Sequence, residues 1–231
     1  EPAPPQAAYH LVPGDFVPVP GPEVVAFGAA GAVPASFGVV DGGSIPYKPE
    51  MLARRNENRE NWLNGDPEIK CYMPGVPRAN YMPHPFQIFQ SEGAFFLAYS
   101  FAGAVRNVFL EDPGPAPLDS WMGQSYGYWE GDTFVVEVTG QDDRTWFDRA
   151  GNFHSYELKV TERWTMVSEN VIEYEATMED PQTFERPWTI RMPLYRRLEA
   201  GFELPQFKCV EFVEELMYGR YRKGREAELG F

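Results

Sequence analysis

The stretch Met122-Gly-Gln-Ser-Tyr-Gly-Tyr-Trp-Glu130, followed by Gly131 and then Asp132-Thr-Phe-Val-Val-Glu-Val138, reads as two β-strands joined by a tight turn. Aromatic and β-branched side chains fill both arms, and Glu130-Gly131-Asp132 supplies residues that suit a hairpin turn. Alternate side chains share one face of a strand, so Tyr126 and Tyr128 fall together and Gly123, Ser125 and Gly127 fall opposite them.

The same pattern continues outward from this hairpin. Short apolar or alternating runs predict strands near residues 86–90, 94–101, 105–110, 122–130, 132–138, 156–166, 171–178 and 187–196. Ser91-Glu92-Gly93, Asp112-Pro113-Gly114, Ser168-Glu169-Asn170 and Glu179-Asp180-Pro181 supply turns between them. Eight sequential strands with short links close most simply as an antiparallel up-and-down β-barrel, because closure removes unpaired edges. A curved sheet covered by helices and an arm is the competing architecture. Either way the fold class is all-β, with few helices.

The flanks divide the chain. Residues 1–50 are rich in Pro, Gly and Ala and read as an extended arm. Residues 51–85 hold a helix, expected between Pro49 and Asn64 and stopped by Gly65 and Pro67, and then a rigid connection carrying Pro74, Pro77, Pro83 and Pro85. Residues 86–209 form the barrel core, and 210–231 alternate charged and apolar residues as a C-terminal helical segment.

Composition narrows the function. The 231 residues include 17 Phe, 12 Tyr and 6 Trp, side chains that favour strands and line pockets. The net charge of −14 opposes binding to nucleic acid or to an anionic membrane surface. No apolar run reaches the ~18 residues of a membrane span, so no membrane insertion is expected. The opening Glu1-Pro-Ala-Pro-Pro-Gln-Ala-Ala8 reads as a start left after signal-peptide removal, which gives a periplasmic or secreted location. Cys71 and Cys209 lack the close spacing of a zinc or redox motif; they are either one long-range disulfide or two buried thiols.

Several motifs occur together: Asp66-Pro-Glu-Ile-Lys-Cys71, Pro74-Gly-Val-Pro-Arg78, Pro85-Phe-Gln-Ile88, Trp129-Glu-Gly-Asp-Thr133, Thr145-Trp-Phe-Asp148, and His154-Ser155 with Glu162-Arg163. Over roughly residues 42–212 the chain thereby resembles a large family of exported bacterial proteins of lipocalin-like form. The resemblance implies a barrel and names no reaction. The chain departs from the pattern at His84, Gln141, Asp142, Tyr156 and Phe212, which points to a specialised pocket.

Strand parity picks out one residue in particular. In the strand beginning at Tyr156, even positions place Glu162 among Leu158, Val160, Trp164 and Met166, on the apolar face. A carboxylate there is either paired, with Arg106 the best partner, or shifted by desolvation into a general acid or base. His154, just before this strand, and Asp143, in the ionisable loop 140–155, are further proton-transfer candidates. Arg106, Tyr126, Tyr128, Trp146, Tyr156 and the proline-flanked His84 are candidates to position a substrate.

The histidines have no metal-ligand spacing, and no phosphate-binding glycine motif occurs, so neither a metal nor any other cofactor is expected. These readings combine as a cofactor-independent enzyme of lyase, isomerase or cyclase type acting on a small apolar or aromatic molecule. The alternatives are a periplasmic carrier of a hydrophobic metabolite and an envelope interaction protein.

Overall fold

The structure, a computed structural model, describes residues 44–207, 209–213 and 216. The arm expected before residue 44 and most of the expected C-terminal helical segment lie outside the described residues.

Eight strands form one sheet in the order of the chain: β1 (Phe86–Gln90), β2 (Ala94–Tyr99), β3 (Val105–Phe109), β4 (Gln124–Glu130), β5 (Thr133–Thr139), β6 (Lys159–Ser168), β7 (Val171–Glu179) and β8 (Trp188–Tyr195). The sheet curls into a half-barrel, an all-β lipocalin-like form. The opening hairpin folds as read: Glu130 faces Thr133 and Tyr126 faces Glu137 across β4 and β5.

One connection differs from a plain meander. β3 and β4 run parallel, paired only at Val108–Ser125 and Phe109–Tyr126. Parallel neighbours require a crossover of about a dozen residues or more. Residues 110–123 provide that length, so Asp112-Pro113-Gly114 is part of a long crossover and not a hairpin turn.

Among the described residues no ladder joins β8 to β1. The segment after β8 instead returns toward the start of the sheet. Ser100 donates to the Pro205 carbonyl at 2.6 Å, the Phe207 ring packs on His84 and Phe101, and a disulfide joins Cys209 to Cys71.

The helical region is broken more often than its composition indicates. Helix α1 (Leu52–Glu60) ends at Asn61, α2 (Trp62–Gly65) is one turn, and α3 (Arg78–Tyr81) is a single turn within the Pro-rich connection. α2 packs against the loop between β5 and β6, where a Cβ on Gly65 would stand 2.8 Å from the Trp146 ring.

The concave face of the sheet has two halves. At one end Val138, Val160, Ala176, Met178, Trp188 and Ile190 are buried with Val76, Ala79 and Phe147 in the main core. The other end stays open, walled by Phe95, Leu97, Val108, Phe134, Trp164 and Ile172. Gly127 of β4 lets the walls meet: a Cβ there would lie 2.5 Å from Phe134 and 2.7 Å from Val108. Gly127→Ala is therefore expected to destabilise the fold by about 1–3 kcal/mol through overpacking, read as a lower urea midpoint at unchanged slope.

Candidate functional site

A layer of polar groups separates the filled half of the concave face from the open half. Arg106 reaches from β3 over β4, donates its Nε–H to Ser125 Oγ at 2.7 Å, and pairs through Nη2 with Glu162 of β6. Glu162 Oε1 accepts from Asn80 Nδ2 at 2.7 Å and from the Tyr174 hydroxyl at 2.6 Å. Tyr99 donates in turn to Asn80 Oδ1 at 2.8 Å, closing the network.

Every member of this layer is buried, and Glu162 is fully so. Burial opposes the charge on Arg106, but Glu162 beside it outweighs that effect and holds the guanidinium above its ordinary range. Burial, reinforced by the Glu162 carboxylate, drives the Tyr174 hydroxyl well up. Burial also pushes Tyr99 up to about 12. Both phenols remain protonated donors.

Above this layer lies a cleft of about 180 Å³ lined by Ile88, Phe95, Leu97, Arg106, Val108, Trp129, Phe134, Val136, Trp164, Met166 and Ile172. Its surface is almost wholly apolar. Ile88, Trp129 and Met166 are exposed at its rim. Arg106 Nη1 and Trp164 Nε1, on two of the lining residues, are buried without a hydrogen-bond partner among the described residues.

No family model, curated protein or solved structure matches this chain. The reading of the site therefore rests on its own geometry.

Of the candidates singled out in the sequence, the structure brings together Glu162 and Arg106, as the buried pair that strand parity allowed. The others lie elsewhere. His154 is fully buried and does not line the cleft: its Nε2 lies 2.7 Å from Thr145 Oγ1 and 3.3 Å from Gln141 Nε2, and its Nδ1 lies 2.7 Å from the Ser155 carbonyl. Gln141 carries this cluster onward to both backbone groups of Val76, at 2.9 Å each. Gln141 thus ties the β5–β6 loop to the Pro-rich connection, and His154 braces Gln141 and Thr145 within the loop.

Asp143 is exposed on that loop. Trp146 is buried against Gly65 beneath the loop and outside the cleft. The Tyr126 and Tyr128 rings meet at a tilt with centroids 5.6 Å apart on the convex face, where Tyr128 donates to Glu137; Ser125 and Gly127 hold the concave positions. Tyr156 is exposed and accepts from Gln182. His84 is half-buried between the Phe101 and Phe207 rings.

Two motifs prove architectural. Arg78 grips Asp66 with two bonds of 2.8 Å, and Glu68 bridges Arg78 to Arg149. Burial raises Asp66 against Arg78's opposing pull, while Arg78 and Arg149 together override burial and keep Glu68 below the usual carboxylate range. Among the described residues no group of three or more His, Cys, Asp or Glu side chains gathers to hold a metal, and no helix is long and apolar enough to cross a membrane.

The buried His154 makes stability depend on pH. Burial lowers its pKa from 6.5, with Ser155, Asp180, Asp143 and Asp142 opposing that shift. The unfolded chain therefore binds the proton first. Stability is complete above about pH 6.5 and falls as pH drops below it, at a slope of up to about 1.4 kcal/mol per pH unit. His154→Asn is expected to reduce that slope in urea titrations between about pH 7 and 5. His84, lowered by burial as well, supplies a remainder.

Proposed function

We propose that this protein holds a small apolar or aromatic molecule in the open half of its curled sheet and carries it without transforming it. The observation that carries this reading is the cleft itself, whose walls are aliphatic and aromatic and whose polar side-chain atoms belong to Arg106, Trp129 and Trp164. Those are N–H donors, and none gives up a proton near neutral pH.

The acid–base reading, as a lyase, isomerase or cyclase, needs a titrating group at the ligand. Glu162 lies behind Arg106 with both oxygens engaged, and neither His154 nor Asp143 lines the cleft. An envelope interaction protein would have no use for the cavity. The volume of about 180 Å³ compares with the ~150 Å³ of an engineered cavity that admits benzene, which favours a ligand near the size of one substituted ring. The Cys71–Cys209 disulfide supports residence in an oxidising compartment, in keeping with the exported, lipocalin-like family the motifs resemble.

Native mass spectrometry of protein from its own source is expected to recover an apolar molecule near one per chain, and Ile172→Trp, which fills the cleft, to lose it while keeping the fold. Recovery of nothing, with no thermal stabilisation by a broad apolar library, overturns the reading.

A further inference from the structure

The cleft has a direction. Along β6 the rim residue Met166, 57% exposed, is followed two positions further in by Trp164 at 8%, and along β2 the half-buried Phe95 is followed by Leu97 at 4%. Inward side chains recur at every second residue, so each such step runs about 6.6 Å toward the floor. Water stands at one end of the cleft and is shut out at the other.

The floor offers a guest nothing to bond. Beneath it lies the polar layer of Arg106, Ser125, Glu162, Tyr174 and Asn80, whose members bond one another and are each at most 3% exposed. Arg106 Nη1 and the Trp164 indole nitrogen are sealed away from a water-sized molecule, and so from any oxygen of a guest. The surface left facing the cleft is almost wholly apolar.

A polar group carried down to that floor gives up its hydrogen bonds to water and receives none in return. The same group at the mouth keeps them. Because Ile88, Trp129 and Met166 leave the mouth open, the outer end of a bound molecule meets water, where a head group is better placed than hydrocarbon.

Resting on the carrier reading, we propose that the ligand is an amphiphile with one polar end, whose hydrocarbon end fills the cleft and whose head group stays in water at the rim. The floor selects by exclusion: it binds no particular functional group and turns away a molecule that is polar at both ends.

Three probes of nearly one shape carry no, one or two hydroxyl groups at opposite ends of a single ring: p-xylene, p-methylbenzyl alcohol and p-xylylene glycol. Each is titrated calorimetrically into the full chain. The alcohol is expected to bind within about threefold of p-xylene, since its hydroxyl remains hydrated, and the glycol roughly fivefold to a hundredfold more weakly than the alcohol, since one hydroxyl must enter without a partner. Ile172→Trp, which fills the cleft, is expected to abolish binding of the first two.

An alcohol that binds more than tenfold more weakly than p-xylene shows a guest enclosed on all sides, and a glycol that binds as tightly as the alcohol shows a floor with a partner to offer. Either result overturns the one-headed amphiphile while the carrier reading stands. If none of the three binds, or if Ile172→Trp leaves their binding unaltered, the cleft is no ligand site and both fall.

Discussion

Glu162→Ala is expected to lower the unfolding free energy by about 3–5 kcal/mol, the range for removing one partner of a buried ion pair. The loss exceeds that of a surface pair because Arg106 has no alternative anion: its Nε–H is committed to Ser125, and its side chain is only 1% exposed. Asn80 and Tyr174 would lose their shared acceptor at the same time. Urea denaturation measures the effect, and a loss below about 1 kcal/mol would show that the layer is not held by charge. The double change Glu162→Leu with Arg106→Met is expected to regain most of the stability, since an apolar replacement of both partners is often neutral or better. That pair of results would identify Glu162 as the counter-charge to Arg106.

Cys71→Ser combined with Cys209→Ser is the other large effect. The bridge spans 138 residues, and chain entropy assigns a loop of that length about 5 kcal/mol, with native disulfides commonly contributing about 2–5 kcal/mol. Cys71 sits in the left-handed region at φ 67°, its N–H donating to the Glu68 carbonyl at 3.0 Å. Cys209 follows the stretch that packs on Ser100, His84 and Phe101. The bridge therefore fastens the segment after β8 across the side of the sheet that no ladder closes. A fall in thermal midpoint with added reductant, absent in the double variant, checks it; no difference between the two proteins would show that noncovalent contacts alone hold the segment.

Much of the fold was legible in the sequence because strand alternation and turn chemistry are local. All eight strands fall within a few residues of their expected places, and the even face of β6 is the buried one. The parallel β3–β4 step was not legible, because Asp112-Pro113-Gly114 suits a hairpin turn and a crossover equally well.

For the site, the sequence exposed Glu162 and offered Arg106 as its partner. It hid Asn80, which enters from a single turn between prolines with no periodicity of its own. Tyr174 shared the inward parity of β7 and could have been found by the argument applied to Glu162. Tyr126 and Tyr128 were drawn toward a ligand by their size alone, whereas the small Ser125 and Gly127 occupy the crowded inner face. His154 is conspicuous in sequence through its chemistry, yet it serves as an internal brace of the β5–β6 loop.

The brief β3–β4 contact divides the sheet into two blocks of hairpins, β1–β3 and β4–β8, each paired internally over long antiparallel ladders. Between them run two register positions, the closure of Phe134 and Val108 over Gly127, the Arg106 bonds to Ser125 and Glu162, and the ring contacts Phe95–Phe134 and Phe86–Trp164. The cleft straddles this seam, with Leu97 and Val108 on one bank and Phe134 and Trp164 on the other. Cooperative units of this kind open separately at a lower free energy than the whole molecule. Under the carrier reading, a guest in the cleft would touch both blocks at once, so its binding would be linked to the integrity of the sheet and would stabilise it.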